Sequence, residues 1–201
     1  MTLTIDLHAS ERRTPKGDVG RLVNAAAAGD ETAWNQLVET YSGLIWAIAR
    51  SHRLNDADAA DTAQATWLHL LEHLGDLHDP DRVGAWLATT ARRECLRVLR
   101  AGNRQVPYGD EPPESVDPGP GVEEALFTGE RDAALWAAFG RLRPSDRALL
   151  RLLMADPQPR YEEISAALDM PIGSIGPTRA RALDRLRGEL SRDGLESAAA
   201  L

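Results

Sequence analysis

Three groups of side chains in this sequence have types and spacings suited to binding chemistry. The clearest lies in Tyr161–Arg187. Ile164, Ala167 and Leu168 mark the apolar face of a short helix, Asp169-Met170-Pro171 breaks it, and Ile175, Leu183, Leu186 and Leu190 mark the face of a second. Arg179, Arg181, Arg185 and Arg187 project from that second helix. Guanidinium forks pair with phosphate oxygens and with guanine edges. A short helix, a sharp turn and an arginine-bearing second helix form the helix-turn-helix pattern, whose second helix enters the DNA major groove. A helical hairpin with a solvated basic face is the competing reading. Turn chemistry, apolar phase and arginine clustering all agree with DNA binding.

The second group is Asp58, Asp61 and Gln64, spaced i, i+3, i+6 along one side of a helix. Taken alone, acids in a first turn are most simply complements to the helix dipole on a solvated surface. The third group is the basic run Arg92, Arg93, Arg97, Arg100 and Arg104, with Trp86 and Leu87 near its start and the loop His78-Asp79-Pro80-Asp81-Arg82 before it. Cations that track a phosphate backbone beside an aromatic ring suit unpaired nucleic acid; solvated charge and a core tryptophan are the plainer alternative. His69 and His73, at i, i+4 around Glu72, lack a third ligand at a recognisable spacing and are not in HExxH order, so no metal is expected. No Ser-His-Asp arrangement or Gly-rich phosphate loop stands out. The chain is therefore expected to be no enzyme and to need no cofactor.

The elements that must hold these groups are all helical. Residues 1–18 show no sustained period and are expected to form a mobile arm. A helical domain is expected over 19–104: Leu22, Val23 and Ala26; a break at Gly29-Asp30; Trp34, Leu37, Val38 and Tyr41 through Ile48 and Ala49; then a helix capped by Asn55 or Asp56 that points Ala60, Ala63, Trp67, Leu70, Leu71 and Leu74 inward. After a loop over 75–80, a further helix is expected from Asp81 or Arg82 to about Arg104. Trp34, Trp46, Trp67 and Trp136 fall on apolar faces and read as core. Residues 105–122, rich in Pro, Gly and acid, are expected to be a partly extended linker. A second helical domain is expected over 123–192, with helices near 124–141, 145–154, 161–168 and 174–191, followed by a frayed tail over 193–201. The fold class is thus all-α: two small helical domains, an acidic linker and a C-terminal helix-turn-helix.

Bulk properties narrow the function further. A length of 201 residues suits one large or two small domains. No stretch approaches the run of about 20 apolar residues that a membrane span needs, and the N-terminus lacks a signal peptide's order. A single cysteine, Cys95, excludes an internal disulfide and fits a cytoplasmic protein. The net charge of −8 sits awkwardly with DNA binding, but the arginines cluster apart from the acids and screening makes the local field decisive. The free protein is expected to bind DNA weakly.

Two helical domains, an acidic linker and a C-terminal helix-turn-helix resemble the extracytoplasmic-function (ECF, group IV) sigma factors. Asp58-Ala-Ala-Asp61-Thr-Ala-Gln64-Ala-Thr-Trp67 is similar to the family's region two-point-two. Trp86–Arg100 is similar to its promoter-melting helix, and Tyr161-Glu-Glu-Ile-Ser165, Pro171–Ile175 and Arg179–Leu183 are similar to region four-point-two. The resemblance implies an initiation subunit that binds core RNA polymerase (beta and beta-prime subunits), recognises promoter DNA and helps to melt it, with an anti-sigma factor as a further candidate partner. It assigns Asp58, Asp61 and Gln64 to the polymerase. It assigns His78, Asp79, Arg82, Trp86, Arg93, Arg97 and Arg100 to the minus-ten element, and Ser174, Pro177, Thr178, Arg179, Arg181 and Arg185 to the minus-thirty-five element. Two departures stand out. Ala60 and Ala65 replace acids common in the family, and Gly176 and Pro177 occupy recognition-helix positions. Pro177 is accommodated if Ser174 is the N-cap, which predicts a late-starting recognition helix. The alternative function is a conventional dimeric helix-turn-helix regulator that acts without polymerase.

Overall fold

The computed structural model describes residues 18–104 and 130–192, and every regular element among them is helical. The helices are α1 (Asp18–Ala27), α2 (Glu31–Ser51), α3 (Asp56–His73), α4 (Val83–Arg104), α5 (Glu130–Gly140), α6 (Pro144–Met154), α7 (Tyr161–Leu168) and α8 (Ile172–Arg192). Single 3₁₀ turns at Leu74–Asp76 and Pro80–Arg82 fill the connection from α3 to α4. The expected linker over 105–122, the tail over 193–201, residues 1–17 of the expected arm and the start of the helix expected near 124–141 lie outside the described residues; Asp18 opens α1.

Local chemistry accounts for the boundaries. Asp30 caps α2 by accepting from Thr32 N and Ala33 N at 2.8 and 3.1 Å. Asn55, of the two residues considered, caps α3: its Oδ1 accepts from Asp58 N at 2.8 Å, and its Nδ2 donates to Asp58 Oδ2 at 2.9 Å. Pro144 stands at the start of α6, where its missing N–H has no partner to lose. Asp169 ends α7 in the left-handed region at φ 55°, a conformation Asp tolerates, and this turns the chain sharply into α8. Ser165 Oγ locks the turn by donating to Met170 O at 2.6 Å.

The late-starting recognition helix is not observed. α8 begins at Ile172, so Ser174 lies inside its first turn and Pro177 lies within the helix. Proline there removes only the bond to the carbonyl of Gly173, four residues earlier, and Gly173 is exposed to water. Ser174 N and Oγ both donate to Pro171 O, at 2.9 and 2.7 Å, and close that turn.

Burial of α1 to α4 follows the apolar phase, with Val23, Leu37, Ile45, Ile48, Leu70, Val83, Leu87 and Ala91 fully enclosed. Three inward assignments are corrected: Ala60 is exposed, with Ala59 buried in its place, and Leu71 and Trp46 also face outward. Leu71 is 59% exposed and Trp46 is 37% exposed, because the apolar face of each helix is wider than the face its neighbours cover. Trp34 and Trp67 are half-buried and meet edge to face, with centroids 5.8 Å apart.

The larger difference is between one core and two. Leu149 and Leu152 of α6, Ile164 and Ala167 of α7 and Ile175 of α8 belong to the same buried cluster as the first four helices. A smaller cluster of Phe139, Leu142, Leu150 and Ala182 holds α5, α6 and α8 together. α7 packs along α4, and α6 packs on α2.

Candidate polymerase and nucleic-acid interfaces

On α3, the buried line Ala59, Thr62, Thr66 and Leu70 faces the core and the opposite side faces solvent. Asp61 and Gln64 stand there exposed, with no hydrogen bond or ion pair among the described residues. Asp58 is half-buried and its carboxylate is engaged by Asn55 in the cap, so it is less available than its neighbours. The same face continues into Leu68 and Leu71, 55% and 59% exposed. The spacing 61, 64, 68, 71 is one helical stripe, acidic and amide at one end and aliphatic at the other. Sequence reasoning missed Leu68 and turned Leu71 inward. The i, i+3, i+7, i+10 spacing was the signal that could have joined them to the polar pair.

The loop before α4 and the first turns of that helix bring His78, Asp79, Arg82, Trp86 and Arg93 together along an open cleft of about 470 Å³. Gly20 N donates to Asp81 Oδ1 at 3.0 Å, which pins this loop to α1; a Cβ on Gly20 would lie 2.7 Å from that oxygen. Trp86 is half-buried with its ring near His73, centroids 6.1 Å apart, so it serves both as packing and as cleft wall. Arg97 and Arg100 lie farther along α4, exposed and outside the cleft; Arg97 Nε donates to Glu94 Oε2 at 2.7 Å. Arg92 is turned to another use, pairing with Asp169 at 2.9 Å. The opposite wall of the cleft is formed by Glu162, Ser165 and Ala166 of α7 and Ile172 of α8.

On α8, Pro177, Arg179 and Arg181 are exposed, and Ser174 and Thr178 are half-exposed. Arg181 is steadied from within the helix, donating to Pro177 O and Thr178 Oγ1, each at 3.2 Å. Arg185 is different: its Nη1 donates to Asp146 Oδ2 at 2.6 Å, and the Asp146 side chain is only 3% exposed. Its guanidinium therefore ties α8 to α6, an engagement invisible in the spacing that grouped it with Arg181.

Two titratable groups lie near these surfaces. Burial, followed by the positive charge of Arg92, holds the His52 imidazole below its usual range, and its Nε2 is buried without a hydrogen-bond partner among the described residues. Burial pushes the Cys95 thiol up to about 12, which leaves it a packing residue with no thiolate at neutral pH. His69 stands 3.5 Å from both Glu72 and Glu94, and no group of three or more metal-ligating side chains occurs among the described residues. No helix among them is long and apolar enough to cross a membrane.

The sigma-70 region 2 family matches residues 37–105, which takes in most of α2 and all of α3 and α4. Over 170 residues the chain is 26% identical to a probable RNA polymerase sigma factor, RfaY, of Xanthomonas campestris pv. campestris, covering 82% of this chain and 42% of that protein. Over 179 residues it is 26% identical to the ECF RNA polymerase sigma factor SigE of Mycolicibacterium smegmatis, covering 86% of this chain and 68% of that one. The chain thus spans less than half the length of the first relative and about two thirds of the second. Among solved structures, CnrH, in complex with the cytosolic domain of CnrY, superposes with a TM-score of 0.58 at 22% identity, covering 87% of this chain and 98% of that one. The sigma factor RpoE, in complex with the anti-sigma factor NepR from Bartonella quintana, gives 0.54 at 20% identity, covering 79% and 96%. At these identities the structural likeness is one of fold.

Proposed function

We propose that the chain is a sigma factor of the extracytoplasmic-function type, as its sigma-70 region 2 match and its two sigma-factor relatives support, and that it binds core RNA polymerase through α3, engages promoter DNA through α4 and α8, and assists melting. One observation carries the reading: the stripe Asp61, Gln64, Leu68 and Leu71, exposed and without a partner among the described residues, lies on α3, inside the segment that matches sigma-70 region 2. Carboxylate and amide provide charge-assisted contacts for a basic partner helix, and two leucines provide the apolar area that gives such a contact its affinity. The role is one of binding rather than bond-making, performed in the cytoplasm beside the polymerase.

Division of labour between the DNA surfaces follows from their chemistry. Arg93, Arg97 and Arg100, with Trp86 and the His78–Arg82 loop, suit a strand that has left the duplex, where cations follow the backbone and an aromatic wall receives a base. Ser174, Thr178, Arg179 and Arg181 project from the start of α8, as a major-groove reading helix requires. Arg185 supports α8 from behind. Because CnrH, of this fold, was solved with the cytosolic domain of CnrY, and the sigma factor RpoE with the anti-sigma factor NepR, a polypeptide antagonist is a further candidate partner.

Run-off transcription with core polymerase, with and without the protein, is the direct test. Promoter-specific product is expected only with the chain present. Asp61→Arg should lose core binding while thermal stability moves by less than about 0.5 kcal/mol, as for an exposed helical substitution. Wild-type co-purification of that variant with core would remove α3 from the interface. Binding of the isolated protein to palindromic duplex sites, with no effect on run-off, would favour a conventional dimeric regulator.

A further inference from the structure

The loop that carries His78, Asp79 and Arg82 is held only lightly by its own chain. Arg82 N donates to Asp79 O at 3.0 Å and Val83 N donates to Pro80 O, but Asp79 makes no side-chain cap on the turn it opens. A loop that must receive an unstacked base binds it more weakly by whatever fraction of the time the loop is elsewhere.

A further tie comes from 61 residues earlier in the chain. Val19 and Val23, 1% and 0% exposed, seat α1 in the larger core. Gly20 follows Val19 in the first turn of α1, where a backbone N–H has no carbonyl within the helix to meet it. Asp81 Oδ1 accepts from that N–H at 3.0 Å. Asp81 thus caps α1 from a distant part of the chain, and the positive end of the helix favours its carboxylate. α1 also packs on both 3₁₀ turns of the connection.

Space explains the glycine. A Cβ on Gly20 would stand 2.7 Å from Asp81 Oδ1 and 3.1 Å from its Cγ. Alanine is the better helix former, so glycine here serves the approach of the loop rather than the helix. With the Asp81 side chain on α1, its neighbours are left to the cleft: His78, Asp79 and Arg82 are exposed and line it, and Trp86 follows one turn along α4.

We propose that Gly20 and Asp81 are positioning residues for base capture: by docking the loop on α1 they hold His78, Asp79 and Arg82 in the arrangement that receives a base from the opened strand. The inference rests on the assignment of this loop to unpaired DNA. Neither residue lines the cleft; both act through the loop.

The test uses holoenzyme assembled from the full chain and core polymerase. A pool of promoter fragments randomised across both elements is transcribed. The downstream sequence that wild type selects is then made as a single-stranded probe, with a scrambled strand as reference. Asp81→Ala should lower the preference for the selected strand about tenfold, the loss expected if the untied loop is in place about one part in ten of the time. Binding of the scrambled strand and of core should not change. Asp81→Asn keeps an oxygen acceptor for the Gly20 N–H and should restore most of the preference. Gly20→Ala should lose it although alanine favours the helix. Gly20→Ala/Asp81→Ala should be no worse than Asp81→Ala alone, because the added methyl then meets no carboxylate.

If wild-type holoenzyme selects no downstream sequence, the loop's assignment to unpaired DNA falls and the proposal falls with it. If it selects one and both single alanine variants keep the preference, the proposal alone is overturned. Equal weakening of both strands, an Asp81→Asn variant no better than Asp81→Ala, or additive losses in the double variant also overturn it.

Discussion

α4 and α8 carry the same cation at similar spacings, yet the two helices engage it in opposite ways. On α4, Arg93 and Arg100 stand exposed without an ion pair among the described residues, and Arg97 is tethered only to its neighbour Glu94. On α8, Arg179 is exposed, Arg187 pairs with Asp184 one turn away, and Arg185 reaches into the small second core to meet a carboxylate that is almost wholly buried. The difference comes from what lies opposite. α4 packs within the larger core and its outer side lines a cleft, whereas the inner side of α8 rests on α5 and α6, where Arg185 finds Asp146. An arginine's spacing locates it on a face; only the neighbouring helix decides whether its charge is available to DNA.

The strongest test of this contrast concerns the core beneath it. Leu152 is fully buried in the cluster that joins both units. Leu152→Ala should cost about 2–5 kcal/mol and should move urea unfolding of both units together, read by tryptophan fluorescence and by helical circular dichroism. Separate transitions would mean that each unit has its own core after all.

Next in size, Arg185→Ala strands the Asp146 carboxylate. Loss of one member of a buried pair costs about 3–5 kcal/mol, and the lower end applies because the arginine side chain is 39% exposed. Arg179→Ala should leave stability within about 0.5 kcal/mol and instead lower the salt dependence of duplex binding by about one unit. If the two variants trade places, with Arg185 acting on DNA and Arg179 on stability, the assignment of roles along α8 is reversed.

The smallest expected effect is a pH dependence. His52 is kept neutral by burial and by Arg92, so its folded pKa lies below that of the unfolded chain. Its contribution is complete above the ordinary histidine range, about 6.5, and is lost as the pH falls, because the unfolded chain takes up a proton that the folded one refuses. The urea midpoint should therefore decline between about pH 7 and pH 5, and His52→Gln should flatten that decline. An unchanged slope would remove His52 from the acid response.

The sequence by itself determined which segments are helical, because capping residues and the helical period of apolar positions are local signals. Asn55 before α3, Pro144 at the start of α6 and the Asp169-Met170-Pro171 break all act within one turn of the chain. It also brought Asp61 and Gln64 to one face, and His78, Asp79, Arg82 and Trp86 to one loop and helix start. The start of α8 was misread because proline was weighed as a helix breaker, whereas its actual cost depended on whether Gly173 could reach water. Leu71 was turned inward because periodicity defines an apolar face but not how much of it a neighbour covers. The union of two expected cores into one, the commitment of Arg185 to Asp146 and the seating of Glu163 against Gly84 were decided only by tertiary structure. Each joins side chains that are 39 or more residues apart, and no local pattern carries the distance between them.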